Sequence, residues 1–184
     1  MGCFESKGHK IFDFKKKSFK NGNNGNLPPS LTEKDRVILA TSWQRLKTDV
    51  EKVGVVTFMK LFDSHPEVQD AFLPFQQLSK KDMEQSAILR SHALRVMGTV
   101  DKCISRLDKP DKFKELMTNL GQRHLNYNVN EEFIEMVGQQ FVYAIQPHLE
   151  DIWSEEVQVA WSQLFKYMTY YMRQGLRGST TIQY

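Results

Sequence analysis

The stretch from Phe113 to His124 constrains this chain more than any other. Phe113, Leu116, Met117 and Leu120 recur at helical spacing, and four residues after Leu120 the stripe closes on His124 instead of a hydrophobe. An imidazole finishing a buried stripe has lost its water hydrogen bonds and must replace them. A neighbouring polar group or a metal can do so, and the spacing alone leaves both open. His92 poses the same question 32 residues earlier. It shares a helical face with Val96, beside Ala93, where it reads as an edge-of-core histidine or as a second ligand. His65 stands before Pro66 at a predicted helix end, a capping or solvent-facing position, while His9 and His148 fall in the tail and a loop.

The rest of the body is punctuated like a helical protein. Thr32-Glu33-Lys34-Asp35, after Pro28-Pro29, reads as a capping box with Asp in the fourth place. The helix it opens is expected to turn Val37, Ala40, Trp43 and Leu46 inward. A second helix is predicted over 50–63, striped by Val55, Phe58, Met59 and Phe62. Residues 67–81 read as irregular, with Phe72 and Phe75 around Pro74. One long helix over 82–107 should bury Leu89, Ala93, Val96, Val100 and Ile104, before Lys109-Pro110-Asp111 breaks the chain ahead of the His124 helix. Asn130 is placed to cap a helix striped by Phe133, Val137, Phe141 and Ala144 and stopped at Pro147. Ser154 opens the last helix, with Val157, Trp161, Leu164, Met168 and Tyr171, ending at Gly175. The 184 residues suffice for one domain of about 150 residues plus a tail. No internal repeat is visible, and no apolar run reaches the roughly 20 residues that span a bilayer.

Charge separates tail from body. Residues 1–30 hold six lysines against Glu5 and Asp13, a net +4, while the whole chain carries +3, so the body stands at −1. A near-neutral body argues against nucleic-acid binding. The opening Met-Gly-Cys-Phe-Glu-Ser fits the myristoylation pattern with Gly2 and Ser6 in place, and Cys3 is positioned for palmitoylation. A single myristoyl chain anchors only marginally, and here a second acyl site and nearby lysines supply the reinforcement. Residues 18–30 have linker composition, and the tail lacks the apolar core of a secretory signal. Cys3 and Cys103 are too few for a disulfide framework and suggest a reducing compartment.

Taken in order, Leu61-Phe62-Asp63-Ser64-His65-Pro66-Glu67, then Phe72, Phe75 and His92, then Leu120-Gly121-Gln122-Arg123-His124 resemble the globin family over about residues 31–175. Trp43, Pro66 at the start of a short third helix, and Val129 five residues after His124 match as well. The resemblance implies an all-α globin fold with helices packed around a haem pocket. It divides the chain into a basic, flexible, acylated tail (1–30), a globin domain (31–175) and a flexible end (176–184). It makes His124 the proximal iron ligand, its second ring nitrogen donating to the Leu120 carbonyl. Arg123 stands where many vertebrate globins place a serine. His92 matches the distal histidine, able to hydrogen-bond a bound ligand or to take the sixth position on the iron. Phe72 would pack on the porphyrin face, and Phe58 and Val96 would wall the distal side with Leu89 and Phe75 nearby. Leu120 and Val129 complete the cofactor-binding set, and Arg95 or lysines are candidates for the propionates. Phe62 and Phe141 read as core. Without a C-x-x-C-H motif the cofactor would be non-covalent haem b.

A globin body behind a Met-Gly-Cys tail resembles the membrane-associated globin X group, and the histidine spacing resembles neuroglobin-like members with two histidines on the iron. What this implies is a six-coordinate globin at the cytoplasmic face of a membrane, the plasma membrane first. There it would work in redox, O2, NO or nitrite chemistry or electron transfer, with a reductase as partner and no nucleic acid. Nitrite reduction and NO dioxygenation are the enzymatic forms of that reading. The other reading is reversible oxygen binding for storage, transport or sensing, and a third is a haem-free interaction module.

Overall fold

The computed structural model describes residues 28–127 and 129–178; Gly2 and Cys3, the expected acylation sites, with the rest of the tail, and residues 179–184 lie outside the described residues. Among the described residues the helices are α1 (Glu33–Leu46), α2 (Val50–Ser64), α3 (Pro66–Ala71), α4 (Lys80–Glu84), α5 (Ala87–Ile104), α6 (Pro110–His124), α7 (Glu131–Ile145) and α8 (Glu155–Leu176). No strand occurs among these residues. None of the helices is long and apolar enough to cross a membrane.

Local chemistry sets the helix starts. The Thr32 hydroxyl accepts from the Asp35 N–H at 3.1 Å, and the Asp35 carboxylate accepts from the Thr32 N–H at 2.8 Å, so the box closes both ways. Asn130 and Ser154 cap α7 and α8 as predicted, accepting from Glu132 and Val157 N–H groups. The inward face of α1 differs from expectation. Leu39, Ser42, Trp43 and Leu46 are buried, whereas Val37 is 57% exposed and Ala40 is exposed. From Trp43 the packed row steps back by four residues, not three. It does so because the Trp161 indole N–H of α8 donates to Ser42 at 3.0 Å and holds that side inward.

The predicted long helix is two. Ser86 accepts from the Leu89 N–H at 3.3 Å, starting α5 afresh after α4 has ended at Glu84. A serine side chain that bonds ahead to its own backbone competes with continuing the helix. The stretch expected to be irregular contains α3, which starts on Pro66, and the beginning of α4, capped by Ser79. Proline suits the first helical turn because its missing N–H has no partner there anyway. At the C-terminal end α8 runs through Leu176, which is 9% exposed, one residue past the predicted stop.

Two apolar clusters organise the domain. The larger joins α1, the second half of α5, α6, α7 and α8 around Trp43, Phe113, Phe141 and Trp161. The smaller joins α2, the α3–α4 corner and the first half of α5 around Phe58, Phe62, Phe75, Leu89 and Ala93, with Phe133, Met136 and Val137 of α7 against it. Helix α2 lies across both α5 and α7, and α6 packs along α8. The crossing of α2 and α5 is tight at Gly54, where a Cβ would sit 3.0 Å from the Ala93 Cβ. That closeness fixes α5, and with it His92, over the smaller cluster.

Candidate functional site

Helix α6 delivers His124 as its last residue, after a buried row of Phe113, Met117 and Gly121. The ring Nδ1 lies 2.8 Å from the Leu120 carbonyl oxygen. A carbonyl only accepts, so Nδ1 carries the proton and donates it. In the neutral ring Nε2 then keeps its lone pair, aimed away from the helix. This is the one-turn bond that the family resemblance implied.

Helix α5 brings His92 into an aromatic cage. Its ring lies 5.0 Å from Phe58 and 5.6 Å from Phe72, both edge-on, and Phe72 stacks on Phe75 at 5.8 Å. Among the described residues the His92 ring has no hydrogen bond. Burial first, then the Arg95 guanidinium, then the His124 imidazole push its pKa from 6.5 down to about 4. At neutral pH the ring is therefore uncharged and one nitrogen offers a lone pair. His124 is the last of these causes, so the two rings lie near enough to interact.

The predicted residues fall around this pair with different weight. Phe58 and Phe75 are buried; Phe72 and Val96 are half-buried against the same cluster. Leu120 is half-buried beside the other cluster and reaches the site through its carbonyl. Val129 is half-buried in the connection between α6 and α7, placed by chain position alone. Phe133, Met136 and Val137 of α7 pack partly buried against the His92 cluster. Sequence reading took Phe133 and Val137 for core and passed over Met136, because a stripe facing a ligand pocket and one facing a core have the same period. His65 stays outside the site, its Nδ1 3.3 Å from Glu67, and His148 lies 3.6 Å from Asp49. Cys103 is buried with its sulfur 3.5 Å from that of Met117, and burial pushes its thiol up to about 12.

A surface hollow of about 280 Å³ between the starts of α1 and α8 is lined by Lys34, Asp35, Ile38, Glu155, Glu156 and Val159, and holds neither histidine. The family model for Globin matches residues 56–172. The chain belongs to the globin family. Neuroglobin of Chaenocephalus aceratus is 30% identical over 146 residues, covering 79% of this chain and 92% of that protein. Cytoglobin-2 of Danio rerio is 28% identical over 139 residues, covering 74% of this chain and 78% of that protein. The crystal structure of a hexacoordinated heme protein from an anhydrobiotic tardigrade at pH 4 superposes with a TM-score of 0.76 at 23% identity, over 81% of this chain and 97% of that one. The globin fold is thus present in sequence and in three dimensions. The all-helical reading and its haem-pocket architecture rest on the same elements, α2, α5, α6 and α7.

This globin's side chains suit a cofactor better than a bare ion. Among the described residues no group of three or more His, Cys, Asp or Glu side chains could hold a metal. Two imidazoles alone leave an ion short of ligands, whereas a planar macrocycle brings four of its own. The flanking groups agree: an unbonded neutral imidazole on α5, a tied one on α6, and half-buried Phe72, Val96, Phe133 and Val137 offering apolar surface to a flat apolar partner.

Proposed function

We propose that this globin holds haem b non-covalently with His124 and His92 both on the iron, and that acyl chains on Gly2 and Cys3 keep it at the cytoplasmic face of the plasma membrane, as in the globin X group. One arrangement carries the reading. His124 is fixed by the Leu120 carbonyl, which leaves Nε2 for a ligand, and His92, neutral and without a hydrogen bond among the described residues, sits in its aromatic cage on α5. The tardigrade protein's description as hexacoordinated supports the same coordination here. When bound, haem supplies an iron that exchanges electrons and takes small gaseous or anionic ligands.

The chain's own residues supply the rest. Leu120 orients His124 by accepting the Nδ1 proton, which fixes the tautomer and leaves the Nε2 lone pair for the metal. Phe58, Phe72 and Phe75 exclude water from the His92 side. Phe58 offers no donor, so His92 is the polar group over the ligand position. Its burial keeps the ring deprotonated and ready to bind metal instead of a proton.

Two histidines on the iron favour electron transfer, because coordination then changes little between oxidation states, and they slow capture of an external ligand. Redox work on nitrite or NO, fed by a reductase, fits that balance and a lipid-anchored position. Reversible oxygen binding is the second reading, favoured by the unbonded His92 ring, which can turn and donate an N–H.

The oxygen-free ferrous absorption spectrum tests the ligation: two sharp visible bands are expected, and a single broad band refutes it. Protein that stays colourless after haem addition refutes the cofactor. Slow autoxidation with moderate oxygen affinity and negligible nitrite turnover would select the second reading. Gly2→Ala is expected to release the protein from membranes in cells; retention there refutes the myristoyl anchor.

A further inference from the structure

Helices α6 and α8 touch backbone to backbone at two glycines. A Cβ on Gly121 would lie 2.0 Å from the Met172 carbonyl oxygen and 3.1 Å from the Gly175 Cα; one on Gly175 would lie 2.1 Å from the Thr118 carbonyl oxygen and 2.9 Å from the Gln122 nitrogen. Ordinary carbon contacts need about 3.5 Å. Either methyl group would overlap its neighbour by more than 1 Å, roughly. No rotamer change relieves this, because the atoms met are main chain. The clashes at Gly54 and Gly138 differ in kind, since the nearest atoms there are side chains of Ala93 and Phe165, at 3.0 and 2.8 Å.

The end of α8 is not free to retreat. Arg177 makes two bonds of 2.9 Å to the Glu131 carboxylate, and Arg173 reaches Glu135 at 2.8 Å, tying the last turns of α8 to the start of α7 on both sides of Gly175. Met172 and Leu176 are buried on the same stretch. A forced separation therefore falls on α6. His124 stands three residues beyond Gly121, at the helix end, with its ring bonded back to Leu120, so it moves as α6 moves.

We propose that Gly121 and Gly175 are positioning residues for the iron ligand: their contact sets the height of His124 relative to the cofactor. The inference rests on His124 being that ligand, as argued above. Its geometry belongs to the helix crossing and would hold whichever chemistry the globin performs.

The experiment compares Gly121→Ala and Gly175→Ala with two controls in full-length, haem-loaded protein. Gly98→Ala adds the same methyl group to α5, where nothing lies within 4 Å. Gly138→Ala introduces a clash with the Phe165 side chain of α8, away from the α6 crossing, and shows what a general loss of stability does. The readouts are the oxygen-free ferrous spectrum and the rate of haem loss to excess apoglobin scavenger. Gly121→Ala and Gly175→Ala should each raise haem loss tenfold or more and bring in a broad high-spin band, while both controls keep the two sharp bands. A melting-temperature loss in the α6 and α8 variants with unchanged spectrum and haem loss would overturn the proposal, as would an equal spectral change in Gly138→Ala. Should neither variant fold, Arg173→Gln with Arg177→Gln loosens α8 without adding an atom to the crossing. Haem loss should then rise two- to threefold, and an unchanged rate overturns the proposal. Failure of the ligand assignment reads differently: the unsubstituted protein would itself lack the sharp bands, or His124→Ala would keep them.

Discussion

Replacing His92 by leucine removes a titrating group from an apolar cage while nearly keeping its volume. The ring's pKa falls from 6.5 to about 4 on folding, chiefly through burial, with Arg95 and His124 adding to it. Between those values the unfolded chain binds a proton at this position and the folded chain does not, so stability rises with pH there. The contribution is complete above pH 6.5 and is lost as pH falls toward 4. At 1.36 kcal/mol per tenfold change the ceiling is about 3 kcal/mol, of which about 2 kcal/mol has gone by pH 5. Urea unfolding of the haem-free chain at pH 7.5, 6, 5 and 4.5 measures it. Subtracting the His92→Leu profile from the unsubstituted one cancels every other histidine and carboxylate. The midpoint difference should move by roughly 1 M between pH 7.5 and pH 5. Arg95→Gln separates the causes, since burial dominates and most of the slope should survive that change. Parallel profiles for the unsubstituted protein and His92→Leu would refute the claim that folding holds this ring neutral.

Trp161→Phe leaves Ser42 without the indole donor at 3.0 Å in a buried interface; equilibrium unfolding should show a loss of about 2 kcal/mol. Gly54→Ala pushes a methyl group to 3.0 Å from Ala93 and Met97; a cost of about 1–3 kcal/mol is expected, read as a lower melting temperature. In a Cys3→Ser background the Cys103 thiol, buried and pushed up to about 12, should resist a thiol reagent until urea unfolds the protein. Labelling at native-state rates near those of a free thiol would contradict that burial.

The caps and the His124–Leu120 bond were readable in the sequence because each depends on residues within one helical turn. Thr32 with Asp35, Asn130 with Glu132, and His124 with Leu120 are all contacts of two to four positions. Features decided across the fold were not readable. Val37 and Ala40 had the right period for burial, yet Trp161, 119 positions away from Ser42, chose the other face of α1. Ser86 could have continued one long helix or capped a new one, and local hydrogen bonding alone did not choose. Phe133 and Val137 carried the signature of core whichever surface they met. Gly121 stood in plain view within Leu120-Gly121-Gln122-Arg123-His124, but its purpose needs Gly175 from another helix.

The two histidines are held unequally, and that inequality says where an external ligand would enter. His124 is bonded to Leu120 and sits on a helix braced by α8 at the Gly121–Gly175 crossing. Among the described residues His92 has ring contacts to Phe58 and Phe72 but no hydrogen bond, and Phe72 is itself half-buried in the corner after α3. Turning the His92 ring away breaks no hydrogen bond within the described residues, whereas turning His124 breaks one and strains a packed helix. On the proposed ligation, a small ligand therefore competes with His92, and its apparent affinity falls by the fraction of molecules in which that ring has swung clear. Widening the cage is the direct check. Phe72→Ala should raise the rate of carbon monoxide capture severalfold and raise haem loss far less than His124→Ala does. Should the same change instead release the haem with no gain in capture, the two sides of the pocket are not divided in this way.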